Sequence, residues 1–205
     1  MLARQALRAQ VGFSLIECMI ACIVFATLCL MALPSFTSAI QDAQVRTAAQ
    51  SLVSSLQLAR TEAIRRNASV KVVFKNELGG VFKKGGTDWT IEADNLSNPG
   101  TPTYQEFQKR IGLEGTPQAR IGARTSIDFA VAAQPGDNLP NAVVFNGLGR
   151  LAISPAAPGT AITQIDIVHA HSSTARRLSI ALSPGGQIRL CDPVIKRADN
   201  PQGCA

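Results

Sequence analysis

The amino-acid sequence predicts an α+β protein in which one long N-terminal helix packs on an antiparallel β-sheet head. Three observations predict this class. An apolar run occupies residues 13–33, apolar residues with helical spacing follow it up to about residue 67, and short segments with alternating polarity fill the rest. A chain of 205 residues with 46% hydrophobic residues is large enough for one head and an appendage.

The apolar run is the first element. Its polar members are Ser14, Glu17 and Thr27. At about 1.5 Å per residue, a helix over residues 13–33 spans the roughly 30 Å of a bilayer core. Arg4 and Arg8 precede the run without an acidic neighbour, so the basic end is predicted to stay in the cytoplasm. We therefore expect a single membrane pass, with all residues after Leu33 outside the cytoplasm.

Glu17 does not suit a simple anchor, because a carboxylate inside a membrane costs about 3 kcal/mol and normally has a partner. If the chain is cleaved between Gly12 and Phe13, the new α-amino group lies four residues before Glu17. The carboxylate could then neutralise the amino terminus of its own chain or that of a neighbouring subunit. The second arrangement would set the axial register of an assembly.

The heptapeptide V-G-F-S-L-I-E at residues 11–17 resembles the cleavage and methylation signature of type IV prepilins and type II secretion pseudopilins. The short basic leader and Pro34 also agree with it. The resemblance implies a leader of residues 1–12, removed by prepilin peptidase, and N-methylation of Phe13. It also implies a subunit of the bacterial inner membrane with a periplasmic head, which later enters a pilus filament or its tip by packing the 13–33 helix on other major and minor pilins.

Two alternatives to that processing are a secretory signal peptide cleaved near residues 37–39 and an uncleaved anchor. The apolar core of a signal peptide normally has 7 to 15 residues and lacks an acidic residue. The length of the run and the presence of Glu17 therefore disfavour a signal peptide.

Residues 34–67 predict an amphipathic continuation of the helix. Small and apolar residues recur at helical spacing, namely Ala48, Leu52, Leu56, Ala59 and Ala63. Asn67 is the predicted C-terminal stop, and the charges of Arg65 and Arg66 suit the carbonyl end of the helix dipole.

Residues 68–205 predict a β-rich head. The predicted strands are 70–75, 89–93, 126–131, 142–145, 150–153, 164–168, 177–182 and 187–191. Asn146-Gly147 and Pro184-Gly185-Gly186 predict tight hairpin turns. Residues 95–121 are polar and are expected to form a long loop or a weak helix around 104–111. We expect one meander whose apolar face covers the amphipathic half of the helix.

Three internal motifs are similar to those of the GspH/FimT family of minor pilins. They are residues 57–67, 145–150 and 186–191. The resemblance implies a minor pilin of a type IV pilus that helps initiate or cap filament assembly. The alternative is a GspH-like minor pseudopilin of a type II secretion system, and the C-terminal cysteine pair and basic tail favour the pilus.

The five cysteines fall into two groups. Cys18, Cys22 and Cys29 lie within the apolar run at helical spacing and are interpreted as small packing residues. Cys191 and Cys204 lie outside the predicted membrane segment, in an oxidising compartment, so we expect a disulfide between them. By the loop-entropy estimate this disulfide stabilises the head by about 3 kcal/mol.

The C-terminal region predicts a small basic patch formed by Arg176, Arg177, Arg189, Lys196 and Arg197. Such a patch would bind phosphates in a salt-dependent and largely sequence-independent manner. Some FimT-like pilins bind DNA through a Gly-Arg-x-Arg motif before the last cysteine. Gly186, Arg189 and Cys191 match that motif, whereas Gln187 replaces its first arginine. DNA is therefore a predicted partner, although this chain lacks one of the two arginines of the motif.

Charge and catalytic motifs limit the other function classes. The formal net charge is +6, and +4 without Arg4 and Arg8, so the charge by itself does not require a polyanionic partner. The alternating His169 and His171 lack an evident third metal ligand and are interpreted as two exposed histidines at a strand end. No G-x-S-x-G, P-loop or H-E-x-x-H motif is present. We expect no enzymatic activity, cofactor, metal or small-molecule substrate.

Overall fold

The computed structural model describes residues 14–75, 85–96, 103–135, 142–153, 161–172 and 175–204, except for the side chains of residues 31–35. The elements are α1 (Leu15–Arg66), β1 (Val70–Lys75), β2 (Asp88–Asp94), β3 (Tyr104–Arg110), β4 (Ala119–Arg124), β5 (Ala142–Phe145), β6 (Leu151–Ala152), β7 (Gln164–His169), β8 (Leu178–Leu182) and β9 (Ile188–Cys191). The chain divides into two compact units, Met1–Ala39 and Ile40–Ala205.

The first unit contains the N-terminal part of α1, whose surface is apolar and exposed. The exposed large hydrophobic residues there include Leu15, Ile16, Met19, Ile20, Ile23, Val24, Phe25, Leu28 and Leu30. Glu17 lies in the first turn of α1. Across the described residues, no helical stretch combines the length and hydropathy required to cross a bilayer. Residues 1–13, which include the predicted leader, Gly12 and Phe13, lie outside the described residues, as do the side chains of 31–33.

Within the second unit, α1 buries one face against the head. The fully buried residues of this face are Val45, Ala48, Ala49, Leu52, Leu56, Ala59 and Ala63. They include all five positions whose helical spacing predicts an apolar face. The alanines leave room for strands to approach the helix axis, and the larger side chains fill the core.

The helix ends in a Schellman motif at Asn67. Asn67 has a φ of 48°. The amide of Ala68 donates to the carbonyl of Ala63 at 3.1 Å, and the amide of Asn67 donates to that of Ile64 at 3.2 Å. These two bonds satisfy carbonyl groups that the helix end would otherwise leave unpaired. The structure therefore ends α1 at the stop that the sequence predicts.

Two antiparallel sheets pack around α1. The first has the strand order β3-β2-β1-β5-β6 and the second the order β4-β7-β8-β9. Their inner faces join the helix in one core, in which Trp89, Phe145, Ile165 and Ile180 are fully buried. The expectation of a single meander is wrong, since the chain enters the second sheet at β4, returns to the first for β5 and β6, and then completes the second. The α+β class is confirmed.

Two of the secondary-structure assignments made from sequence are also wrong. Residues 104–110 form the edge strand β3 instead of a loop or weak helix, since backbone pairing with β2 stabilises a polar segment that needs no buried face. Residues 126–131 are not a strand, and the strand in this region is β4 at 119–124. The amide of Asp128 donates instead to Oε1 of Gln164, at 2.6 Å.

Both predicted hairpin turns are present. The amide of Gly149 donates to the carbonyl of Asn146 at 2.8 Å, between β5 and β6. The amide of Gly186 donates to the carbonyl of Ser183 at 2.8 Å, between β8 and β9. The second turn returns the chain along β9 towards the C-terminal cysteines.

Candidate interaction site at the C-terminal loop

The C-terminal loop, residues 192–203, lies at the end of the head where α1 enters it. β8 runs away from this end, and β9 returns to it, as the register from Ser179↔Cys191 to Leu182↔Ile188 shows. The amide of Arg176, just before β8, donates to Oδ1 of Asp42 in α1 at 2.9 Å. The loop therefore begins close to the start of the helical part of the head.

A disulfide closes the loop. Cys191 and Cys204 are bonded, with their Cα atoms 5.0 Å apart, and both residues are buried. The backbone adds two bonds, because the amide of Asp192 donates to the carbonyl of Gln202 at 2.8 Å and the amide of Cys204 donates to that of Asp192 at 3.1 Å. The ends of the loop are thus held both covalently and by hydrogen bonds.

Inside the loop the backbone turns tightly around Gly203. A Cβ atom at this position would lie 2.4 Å from the carbonyl oxygen of Ile195, so a larger residue would force the backbone apart. The amides of Asp199 and Asn200 both donate to the carbonyl of Lys196 at 3.1 Å. These contacts give the loop a defined shape.

Arg176 and Asp192 form an ion pair at the base of the loop. Nε of Arg176 donates to Oδ2 of Asp192, whose side chain is only 4% exposed. Oδ1 of Asp192 accepts the amide of Val194 at 2.8 Å. Because Asp192 neutralises Arg176, this arginine adds less positive charge to the surface than its sequence position suggests.

The other four cations of the predicted basic patch differ in exposure. Nη2 of Arg177 donates to the carbonyl of Phe129 at 2.5 Å, and Nη2 of Arg189 donates to the carbonyl of Gly203. Both of these arginines are half-buried, whereas Lys196 and Arg197 are exposed. Within the described residues, no ion pair involves Lys196 or Arg197. These two side chains are therefore the most accessible cations of the patch.

A buried polar cluster on the outer face of the second sheet was not predicted from the sequence. Gln164, Asp166 and Ser179 are fully buried. Asp166 accepts hydrogen bonds from Oγ of Ser179, Nε2 of Gln164 and the amide of Ala133. The cluster holds residues 125–135 against the sheet. The sequence did contain a signal for this cluster. Gln164 and Asp166 alternate with two isoleucines, so they lie on the face of β7 opposite to the apolar core.

The two histidines lie side by side near the end of β7. Their ring centroids are 6.5 Å apart, and the amide of His171 donates to Nδ1 of His169 at 3.3 Å. Burial lowers the pKa of His169, and the neighbouring His171 and Arg120 lower it further. No group of three metal-ligating side chains occurs among the described residues.

The three motifs that carry the second family resemblance meet at the opposite end of the head. A Cβ atom on Gly147 would lie 2.7 Å from Oδ1 of Asn67, and one on Gly186 would lie 1.9 Å from the carbonyl oxygen of Gly149. The two hairpin turns and the end of α1 are therefore in direct contact. The motifs therefore stabilise the packing of the head.

A long helix with an exposed apolar N-terminal part, packed through its second half on antiparallel sheets, defines a pilin-like subunit. The chain belongs to the GspH family, because the family described as "Type II transport protein GspH" matches residues 48–186. It is therefore a minor pilin or pseudopilin, a class of membrane-anchored subunits that assemble with one another in type IV pili and type II secretion systems. β9 and the disulfide-closed loop follow the matched region.

Several solved structures resemble the chain, including the three that follow. The minor pseudopilin EpsH of the Vibrio cholerae type II secretion system is 13% identical, with a TM-score of 0.50 over 76% of this chain and 98% of that one. The type IV minor pilin FimU of Pseudomonas aeruginosa is 16% identical, with a TM-score of 0.47 over 74% and 90%. E. coli GspH is also 16% identical, with a TM-score of 0.43 over 77% and 94%.

At 13% identity, the likeness to EpsH concerns the fold alone. No protein of curated function shows significant sequence similarity to this chain.

Proposed function

We propose that this protein is a minor pilin of a type IV pilus that helps initiate or cap the filament. The observation that carries the proposal is the apolar surface of α1 from Leu15 to Leu30, interrupted by the carboxylate of Glu17. An exposed apolar surface of this extent calls for a membrane or a partner helix. The cleavage signature at residues 11–17 supports both environments: the helix would first anchor the subunit in the membrane and would then pack on other helices in the filament.

Processing would prepare Glu17 for assembly. Cleavage after Gly12 by prepilin peptidase creates an α-amino group at Phe13, and N-methylation leaves that group cationic. In a bundle of pilin helices, Glu17 would pair with the amino terminus of a neighbouring subunit. The attraction between this carboxylate and the amino group is strong in a low-dielectric bundle, and it would select one axial register between neighbouring subunits.

The test of this step compares the wild type with Glu17→Ala and Glu17→Asp in cells. Mass spectrometry should find an N-methylated Phe13 in all three. Glu17→Ala should prevent incorporation into filaments, whereas Glu17→Asp, which keeps the charge, should retain part of it. Normal incorporation of Glu17→Ala, or an intact Met1 in the wild type, would refute the proposal.

The alternative is a GspH-like minor pseudopilin of a type II secretion system, which the description of the matching family favours. The disulfide-closed basic loop after residue 186 supports the pilus, because it lies beyond the matched region. A deletion strain separates the two functions. Loss of twitching and of transformation with normal exoprotein secretion would support the pilus, and the reverse phenotype would support secretion.

DNA contact in natural transformation is a second candidate role, favoured by the exposure of Lys196 and Arg197. Arg189 and Arg177 are half-buried and would add to the positive electrostatic potential around these two residues. Arg176 would add less, because it is paired with Asp192. Gel shifts over a salt series test this role. Lys196→Ala/Arg197→Ala should weaken binding and flatten the salt dependence, while Arg65→Ala/Arg66→Ala, with the same charge change, should not.

A further inference from the structure

The outermost part of the C-terminal loop combines an apolar side chain with two cations. We define residues 194–197 as the loop tip. Val194 is 81% exposed, Ile195 is half-buried, and Lys196 and Arg197 are exposed. An exposed aliphatic residue beside cations is the composition of segments that lie at a membrane interface, where the apolar group enters the headgroup region and the cations meet phosphate.

The base of the loop lies beside Asp42, close to the start of the second unit. Arg176 joins the base of the loop to α1. Its amide donates to Asp42 in α1, and its guanidinium donates to Asp192 at the base of the loop. Asp42 follows Leu33 by nine residues. Nine residues span about 14 Å as a helix and at most about 30 Å when extended, so the chain itself keeps Asp42 within about 30 Å of the end of the predicted membrane segment.

The loop has a defined shape before it meets any partner. The disulfide, the backbone bonds of Asp192 and the close packing around Gly203 hold it. Binding therefore costs little ordering entropy. The exposed acidic residue within the loop is Asp199, which opposes the two tip cations.

We infer that the loop tip binds anionic phospholipid headgroups of the membrane in which the subunit is anchored, before the subunit enters a filament. This inference rests on the proposed membrane anchoring. Contact through Val194, Lys196 and Arg197 would hold the head against the bilayer, and extraction into a filament would break it.

The composition of the loop favours lipid over DNA. The sequence from Asp192 to Cys204 contains no aromatic residue on which bases could stack. DNA phosphates would use the two cations and leave Val194 without a role. A bilayer surface would use all three side chains.

The experiment uses the full-length protein in lipid nanodiscs made of phosphatidylcholine alone or of phosphatidylcholine with phosphatidylglycerol. Hydrogen exchange followed by mass spectrometry measures the protection of the peptide that covers residues 194–197. The ratio of protection in the two lipids is compared within each variant, so intrinsic exchange rates cancel. We expect the anionic lipid to slow exchange of this peptide roughly fivefold or more.

The variants change the charge at the tip, beside the tip at Asp199, or at the opposite end of the head. Lys196→Ala/Arg197→Ala should bring the protection ratio down to about one, and Asp199→Asn should raise it above the wild-type value. Arg65→Ala/Arg66→Ala, which removes the same charge at the opposite end of the head, should leave it unchanged. High salt should abolish the protection in every variant.

Three results would overturn the inference. Equal protection in both lipids would exclude recognition of anionic headgroups while leaving the anchoring intact. Stronger protection by an oligonucleotide in neutral nanodiscs than by anionic lipid would assign the tip to nucleic acid. Failure of the protein to associate with either nanodisc would refute the anchoring itself, and the lipid contact with it.

Discussion

Nε of Arg60, in the last third of α1, donates a hydrogen bond of 3.1 Å to the carbonyl oxygen of Gly149 in the β5–β6 turn. Gly186 of the β8–β9 turn packs directly on the same carbonyl. The amide of Leu151 also donates to the carbonyl of Pro184 at 3.2 Å. The helix and both sheets therefore meet at one junction, which residues far apart in sequence create together.

Gly186 should tolerate no side chain at this junction. It has a φ of 80°, and an added Cβ would lie 1.9 Å from the carbonyl oxygen of Gly149. We expect Gly186→Ala to destabilise the head by about 2–4 kcal/mol, through backbone strain and displacement of the β5–β6 turn. Thermal unfolding of the detergent-solubilised protein measures this. Gly185→Ala is the control, since its Cβ would find its nearest neighbour at 3.8 Å. Equal unfolding temperatures for the two variants would contradict the role of the junction.

The ion pair between Arg176 and Asp192 should protect the disulfide. Arg176→Ala leaves a carboxylate that is 4% exposed without its cation, which we expect to cost about 1–3 kcal/mol because Arg176 itself is partly exposed. Local opening of the loop base should then expose Cys191 and Cys204. The rate of disulfide reduction by dithiothreitol under native conditions should rise severalfold. Arg177→Ala, which removes the adjacent cation, is the control, and equal rates in the two variants would exclude this role.

Glu62 should make stability depend on pH. Hydrogen bonds from Arg65 and then Arg66 lower the pKa of Glu62 from 4.5 to about 2. Because the pKa is lower in the folded state, the stabilisation is complete above pH 4.5 and is lost as the pH falls towards 2. The unfolding temperature of Glu62→Gln should therefore fall less than that of the wild type over this window. Glu106→Gln, at an exposed position on β3, should follow the wild type, and parallel curves for all three proteins would refute the prediction.

Ser55 should contribute more to stability than its neighbour Ser54. Oγ of Ser55 accepts the indole Nε1 hydrogen of the buried Trp89 at 2.9 Å. Ser55→Ala leaves this donor unsatisfied, at a cost of about 1–3 kcal/mol. Ser54 is exposed and its Oγ bonds within the helix, to the carbonyl of Gln50, so Ser54→Ala should be close to neutral. Trp89 is the only tryptophan of the chain, so its fluorescence reports unfolding in both variants, and equal unfolding temperatures would contradict the prediction.

Sequence patterns correctly predicted those elements whose conformation depends on residues close to them in sequence. The spacing of Leu52, Leu56 and Ala59 indicated the buried face of α1, because helix periodicity reflects one-sided burial directly. Asn67 indicated the helix end, because asparagine adopts the left-handed conformation of a C-terminal cap more readily than most residues. The hairpin turns at residues 146–149 and 183–186 likewise depend on local glycines.

The errors arose where a segment is stabilised by distant residues. β3 is polar and exposed, and only its pairing with β2 makes it a strand. Residues 126–131 alternate like a strand, but Gln164 and Asp166 bind the backbone amides of the 125–135 segment. Neither partner can be identified from the segment itself.

The sequence by itself determined the α+β class, the apolar helix with its processing signature, and the two cysteines able to close the tail. The tertiary structure decided the division of strands between two sheets, the pairing of Arg176 with Asp192, and the exposure of Lys196 and Arg197. The physical reason is that periodicity records which side of an element is buried. The identity of the partner, and hence the net charge that a side chain presents, depends on contacts across the fold.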